Sequence, residues 1–344
     1  MSQFLKQSLS GFEPYAPGVQ PPDGEQWVKL NTNESPFAPS PRVIEAITRA
    51  ATELQLYPDS QQVRLRHIIS QLHDLAPEQV ICGNGADEAL AMALRAFVGR
   101  TSFAAYMQPS YSLVPALLRI HDVRGEEHSW APGYRLPATM YDSHAGLKFV
   151  VNPNSPTGTL LPLEEIDLLC RRSSGMVLLD EAYVDFAPVN GIELLARHHN
   201  LLIVRTLSKS YGLAGLRLGY ALGARDVIED LFRVKDIYNV DRLALAGAEA
   251  AVQDQEYKRR AVASIVQNRE RLSVELRQRG FKVLPSAANF VFAIPNRPAY
   301  DVLQHLQQHR VLVRHFNSPG VANGLRISVG TWEQCQNLLL ALDS

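Results

Sequence analysis

A lysine stands in the run Thr206-Leu207-Ser208-Lys209-Ser210-Tyr211-Gly212, which continues through Gly215 and Arg217 to Gly219. The run follows the apolar segment 201–204 directly. In open α/β sheets, ligands bind beyond the carboxyl ends of strands. A lysine placed there can do covalent work, as in a Schiff base with an aldehyde. Two hydroxyls and the planar fork of Arg217 beside it can hold a phosphate. The plain alternative is a surface lysine in a glycine-rich turn. A second signal is Leu178-Leu179-Asp180-Glu181-Ala182-Tyr183, an apolar strand ending in two carboxylates. A buried carboxylate is costly unless it meets a positive partner, and a protonated pyridine nitrogen would be one. A magnesium-binding Asp-Glu pair is the other reading. It needs a G-x-x-x-x-G-K-[ST] loop, which the chain lacks.

Two further loops belong with these. Gly83-Asn84-Gly85-Ala86-Asp87-Glu88 leads from a strand into a helix, and glycines there let backbone N–H groups meet a phosphate. It partly mimics a dinucleotide fingerprint, but Glu88 stands where the third glycine would be. Asn152-Pro153-Asn154-Ser155-Pro156-Thr157-Gly158 follows another apolar run; by itself it reads as a stiff turn.

Short apolar runs at 79–82, 103–106, 148–151, 176–179, 201–204 and 217–221, each followed by a longer helical pattern, must position these loops. That alternation predicts an α/β protein with a mostly parallel sheet. Seven prolines in the first ~40 residues make an irregular arm. Apolar spacing predicts a helix over 42–54 and a long one over 254–280, ending at Gly280. Short strands at 281–283, 289–292, 311–313 and 325–328, with a helix over 331–342, give a smaller α+β domain.

The composition narrows the function. Lys+Arg 34 against Asp+Glu 35 leaves a net charge of −1, which argues against nucleic acid and against a polybasic membrane anchor. No apolar run approaches the roughly 18 residues that span a bilayer. The start lacks the apolar stretch of a signal peptide. Three cysteines without a C-x-x-C pair read as reduced and mostly structural, in a cytoplasmic enzyme. The ten histidines show no metal spacing.

Taken together, the loops resemble the fold-type I pyridoxal-phosphate (PLP) aminotransferases. The likeness runs over nearly the whole chain: PYAPG, LNTNESPFAPSP, LYPDS, GNGADE, NPNSPTG, LLDEAYVDF, RTLSKSYGLAGLRLGY, IYNVDRLA, SAANFVF and LRISVG. It is greatest for the histidinol-phosphate branch of that family. The resemblance implies a large PLP-binding domain over 41–250, its mostly parallel sheet flanked by helices. A small α+β domain over 251–344 joins it, with 1–40 as the arm and the start of the small domain.

The same resemblance implies roles. Lys209 is the Schiff-base lysine, Asp180 the pyridinium partner and Tyr183 the donor to the phenolic oxygen. Gly85, Ala86 and Asp87 cradle the phosphate by backbone N–H groups, and Thr206, Ser208 and Arg217 complete the cup. Tyr111 stacks on the ring. Many relatives carry Asn directly before Pro-Thr-Gly; Ser155 stands there in this chain. Either it or Asn154 contacts the phenolic oxygen, and Asn154 is named for it. Tyr57 is lent across a homodimer. Arg326, with Arg314 as companion, binds substrate anions, and Tyr15, Asn33, Tyr238 and Asn239 complete the substrate set. The implied reaction is ping-pong transamination between L-histidinol phosphate and 2-oxoglutarate. Aromatic amino acid transamination, phospho-amino-acid decarboxylation and a non-catalytic regulator are the other readings. The regulator would need a DNA-binding module, and the first 40 residues are too short and proline-rich for one.

Overall fold

The computed structural model describes residues 2–22 and 25–344. Among the described residues, thirteen strands occur in chain order: β1 Val28–Lys29, β2 Val80–Asn84, β3 Phe103–Gln108, β4 Arg124–Ser129, β5 Leu147–Val151, β6 Met176–Asp180, β7 Leu201–Thr206, β8 Leu218–Leu222, β9 Lys282–Val283, β10 Phe290–Ile294, β11 Val311–Leu312, β12 Arg314–His315 and β13 Leu325–Ser328. Seven of them form the main sheet in the order β2-β8-β7-β6-β5-β3-β4. All its pairs are parallel except those of β8, which is antiparallel to both neighbours. The reason is local: the turn 207–217 returns the chain directly, with no crossover helix to reverse it. β5, β7 and β8 are buried along their whole length and β6 from Val177 onward, as expected for strands covered by helices on both faces.

The sequence reading missed β4, whose residues Arg-Gly-Glu-Glu-His-Ser show no apolar pattern. It is one of the sheet's two edge strands, paired only with β3, and charge at an edge discourages further pairing. The helix expected over 42–54 runs Pro41–Ala50 and tightens into a 3-10 turn. Ser40 caps it and Pro41 opens it, both favourable at a helix start. The long helix runs Gln255–Gln278 and stops before Gly280 at φ +82°, the left-handed residue that commonly ends helices.

A second, antiparallel sheet has the order β12-β13-β10-β9. Leu272 and Leu276 of the long helix pack there with Val291, Leu325, Ile327 and Leu338. Leu30 of the arm belongs to the same core, because β1 pairs with β11. β1 and β11 form a separate two-stranded sheet beside it, and the arm passes from this second core to the helix Pro41–Ala50, which lies along Arg242–Gln253. All three cysteines are free and buried, Cys82 and Cys170 in the core under the main sheet and Cys335 in the second core.

Candidate active site

The ends of β5, β6 and β7 open on a cavity of about 190 Å³. Val151, Asp180 and Thr206 line it from the main sheet, Arg314 and Arg326 from the second, and Tyr15, Pro17 and Gly18 from the arm. The register makes this convergence. Val151 stands opposite Asp180 across the β5–β6 pair, so chemistry-bearing ends share one edge of the sheet.

Lys209 lies in the turn after β7, its Nζ donating to the Thr32 carbonyl at 3.3 Å. It sits 5.8 Å from the Tyr183 ring centroid. Beside it, the Thr206 hydroxyl accepts the Ser208 N–H at 3.1 Å. Arg217 reaches Ser208 Oγ at 3.4 Å and Asp87 at 3.0 Å. Tyr111 donates to the other Asp87 oxygen at 3.1 Å. Gly85 precedes the helix Ala86–Phe97 at φ +81°, and a Cβ there would run into the Arg217 guanidinium. The first N–H groups of that helix, two hydroxyls and an arginine thus converge. That is an anion cup.

Asp180 is 4% exposed. One of its oxygens accepts the Ala182 N–H at 2.9 Å. Burial pushes its carboxyl up to about 7, the state of a carboxylate suited to a cationic partner. Glu181 points the other way. Arg205 donates to one of its oxygens at 2.9 and 2.6 Å, and the Gly191 N–H to the other at 2.6 Å. With both oxygens spent, Glu181 cannot join Asp180 as a magnesium pair. Among the described residues, no group of three or more His, Cys, Asp or Glu is placed to hold a metal ion.

The Tyr183 hydroxyl accepts from Asn33 Nδ2 at 3.0 Å, which leaves its own proton free to donate. Asn33 is buried, at φ +55°, and its main-chain N–H donates to Ser328 Oγ at 2.8 Å. Asparagine tolerates that backbone better than most residues. Arg326 donates to Ser155 Oγ at 3.2 Å and to the Asn31 carbonyl at 3.0 Å, while its buried Nε has no partner among the described residues. Arg314 donates to the arm carbonyls of Pro17 and Ala16, at 2.9 and 2.7 Å. Tyr15 meets Tyr111 edge to face at 6.3 Å.

Other named residues lie elsewhere. The Asn154 amide is spent on Ser110, Pro109 and Thr157, and Ser155 takes the cavity wall in its place. Asn239 likewise turns inward. It donates to the Cys82 carbonyl and to Glu88, both at 3.0 Å, and accepts from Gln62 at 2.9 Å. Its amide braces the end of β2. Tyr57 is 78% exposed and stacks on Tyr238 at 4.6 Å, and neither lines this chain's cavity. Thr32, Pro17 and Gly18 line it without having been named from sequence, and Ser155, named there as the alternative to Asn154, lines it too. Proximity of Gly18 to Thr32 and Asn31 gives no signal in sequence.

A lysine beyond one central strand, a buried carboxylate beyond the next and a helix-capped anion cup beside them fit PLP. The cup suits its phosphate, Asp180 its ring nitrogen and Lys209 its aldehyde. Fold and site together define a PLP-dependent transferase.

Comparison with known proteins narrows this. The family model described as aminotransferase class I and II matches residues 25–342. The chain is 44% identical to histidinol-phosphate aminotransferase 1 of Bradyrhizobium diazoefficiens, and 43% identical to histidinol-phosphate aminotransferase of Aromatoleum aromaticum. Each comparison covers 99% of both chains. Histidinol-phosphate aminotransferase from Sinorhizobium meliloti, solved in complex with pyridoxal-5'-phosphate, superposes with a TM-score of 0.90 at 25% identity. That match covers 99% of this chain and 97% of that one. The chain belongs to the class I and II aminotransferases.

Proposed function

We propose that this chain transaminates L-histidinol phosphate with 2-oxoglutarate, giving imidazole-acetol phosphate and L-glutamate in histidine biosynthesis. The observation that carries the reading is a pair of arginines in the cavity wall, outside the cup. Arg314 and Arg326 both line the cavity, and a buried Nε of Arg326 has no partner among the described residues. A phosphate end on one substrate and a distal carboxylate on the other can use the same arginines in turn, which suits a ping-pong sequence. Relatives covering the full chain carry the name of this activity.

PLP, when bound, supplies an aldehyde that takes up the amino group and a ring that stores the electron pair released at the substrate carbon. The chain's own groups do the rest. Asp180 holds the ring nitrogen protonated by its charge. Tyr183, positioned by Asn33, donates to the phenolic oxygen, and Ser155 is the second hydroxyl at that wall. Lys209 would hold the cofactor's aldehyde, and its amine is placed to carry the proton at the substrate carbon. Tyr111, whose hydroxyl is held protonated by burial and the Asp87 charge, packs beside the cup.

A homodimer is part of the same proposal. Tyr57 and Tyr238 stack on each other and lie exposed, and Ile44, Leu54, Leu56, Val63 and Ile237, near them in sequence, are exposed as well, more apolar surface than this segment needs as a monomer. A second copy covering it would bring Tyr57 to the neighbouring site. No helix among the described residues is long and apolar enough to cross a membrane. Work in the cytoplasm is the setting proposed, and three free, buried cysteines suit it.

The test is a half-reaction scan. PLP-loaded protein is mixed with histidinol phosphate, phenylalanine, tyrosine or threonine phosphate, without keto acid, and the visible spectrum is followed. Histidinol phosphate should convert it at least about tenfold faster than the rest. A faster aromatic amine, or carbon dioxide released from threonine phosphate, would overturn the substrate assignment.

A further inference from the structure

Asp185 lies two residues past Tyr183, in the 3-10 turn Val184–Phe186. One of its oxygens accepts from Lys258 Nζ at 2.5 Å, and the other from the hydroxyl of Ser210, the residue next to Lys209. Burial opposes its charge, yet Lys258 and the two hydrogen bonds hold the carboxyl below its usual range. Lys258 stands in the first turn of the long helix Gln255–Gln278. The same turn reaches the next residue of the lysine loop, since Gln255 Nε2 donates to the Tyr211 hydroxyl at 3.0 Å. Lys258 Nζ also lies 5.2 Å from the Tyr211 ring centroid. Further along the helix, Arg269 donates to the Phe186 carbonyl at 3.2 Å. Both the turn after Tyr183 and the turn carrying Lys209 are therefore tied to one helix.

That helix also carries the second sheet. Leu272 and Leu276 sit in its core beside Leu325 and Ile327, the neighbours of Arg326 in β13. The reacting amine and the anion-binding arginine belong to different sheets, and a substrate must touch both. Something must fix their separation, because small misplacements of reacting groups are expensive. We propose that Asp185 is a positioning residue. It clamps the Lys209 turn to the long helix through Ser210 and Lys258, and so sets the spacing between Lys209 and Arg326. The inference rests on Lys209 being the reacting amine, as proposed above. None of the three residues lines the cavity, so their effect is on placement and not on contact with substrate.

The clamp is tested in the PLP-loaded enzyme with Ser210→Ala, Asp185→Asn and Lys258→Met. Borohydride reduction and mass mapping of the unaltered protein come first. A label on a lysine other than Lys209 sinks the assignment of the amine, and the clamp with it. With Lys209 labelled, each variant should lose about 10- to 100-fold in kcat with KM changed by less than about threefold. The visible circular dichroism of the bound cofactor should shift as its attachment tilts. Ser210→Thr and Lys258→Arg should recover most of both signals. Ser210→Ala removes a single buried hydroxyl, so it keeps the test open if a charge variant fails to fold. Variants that lower Tm while the folded fraction keeps kcat and visible dichroism would show Asp185 to be only structural. Loss confined to KM would overturn the clamp as well.

Discussion

Arg326 and Ser155 hydrogen bond at 3.2 Å, joining the second sheet to the loop after β5 across the cavity. The serine satisfies one arm of the guanidinium and leaves the buried Nε open. A guanidinium shielded in this way is held below its ordinary pKa by burial, with the nearby Arg314 charge adding to the effect.

An anion on Arg326 relieves that cost, so its loss should be felt in binding. Arg326→Ala removes one partner of a charge-assisted pair, which typically costs about 2–5 kcal/mol. KM for both histidinol phosphate and 2-oxoglutarate should rise by roughly 30-fold or more, with PLP content unchanged. Arg326→Lys should recover only part, because a point charge cannot make the fork. Steady-state kinetics on both substrates check it. A variant that melts while its folded fraction keeps the parent KM would make Arg326 structural.

Lys209→Ala should still bind PLP, because the cup of Ala86, Thr206, Ser208 and Arg217 is untouched. Turnover should fall by at least roughly 10³-fold, since tether and proton carrier are lost together. Equilibrium dialysis and kcat measured on one preparation separate the two effects.

Asp180→Asn should harm kcat more than PLP binding, since an amide cannot supply the charge that keeps the ring nitrogen protonated. It should also change how the PLP-free protein responds to pH. The folded Asp180 carboxyl lies at about 7, above its usual 3.8, so its contribution to stability is lost as pH rises from about 4 through 7. His73 opposes it. Burial, with the Arg205 charge, takes that imidazole down to about 3, so its contribution is lost as pH falls from about 6.5 toward 3. The two slopes offset between about pH 4 and 6.5. Asp180→Asn should steepen the rise of Tm with pH there, and His73→Gln should flatten or reverse it. Calorimetry of PLP-free protein at four pH values decides; two unchanged slopes would mean these groups do not titrate as described.

Tyr57→Phe and Lys209→Ala chains, each nearly inactive alone, should regain activity on mixing. If Tyr57 crosses the interface, each mixed dimer holds one site with both lesions and one with neither. Up to about half the parent activity per mixed dimer is expected. No recovery after verified subunit exchange would place Tyr57 in its own chain's site.

The strand ends made Lys209, Asp180 and Arg217 legible in sequence, because apolar runs show where a sheet stops and polar residues begin. The parallel sheet was legible for the same reason. The edge strand β4 was not, since its residues are polar and charged, whereas the other edge strand, β2, carries an apolar run and was legible. The partners of Asn154 and Asn239 were not legible, because an amide looks equally free in sequence whatever it meets. Ser110 consumes the first and Cys82 and Glu88 the second, partners 44, 157 and 151 residues away. Arg205 as the partner of Glu181, and Lys258 as the partner of Asp185, are hidden by the same distance.

The burial of every cysteine gives the chain a property unrelated to catalysis. Cys82 and Cys170 are held up near 12 and Cys335 near 11, all chiefly by burial, so none offers a thiolate to an alkylating reagent while its surroundings stay folded. The first two report on the core under the main sheet and the third on the core of the second. Alkylation is then a clock for opening. The order in which the three thiols take up label tells which half of the molecule comes apart first.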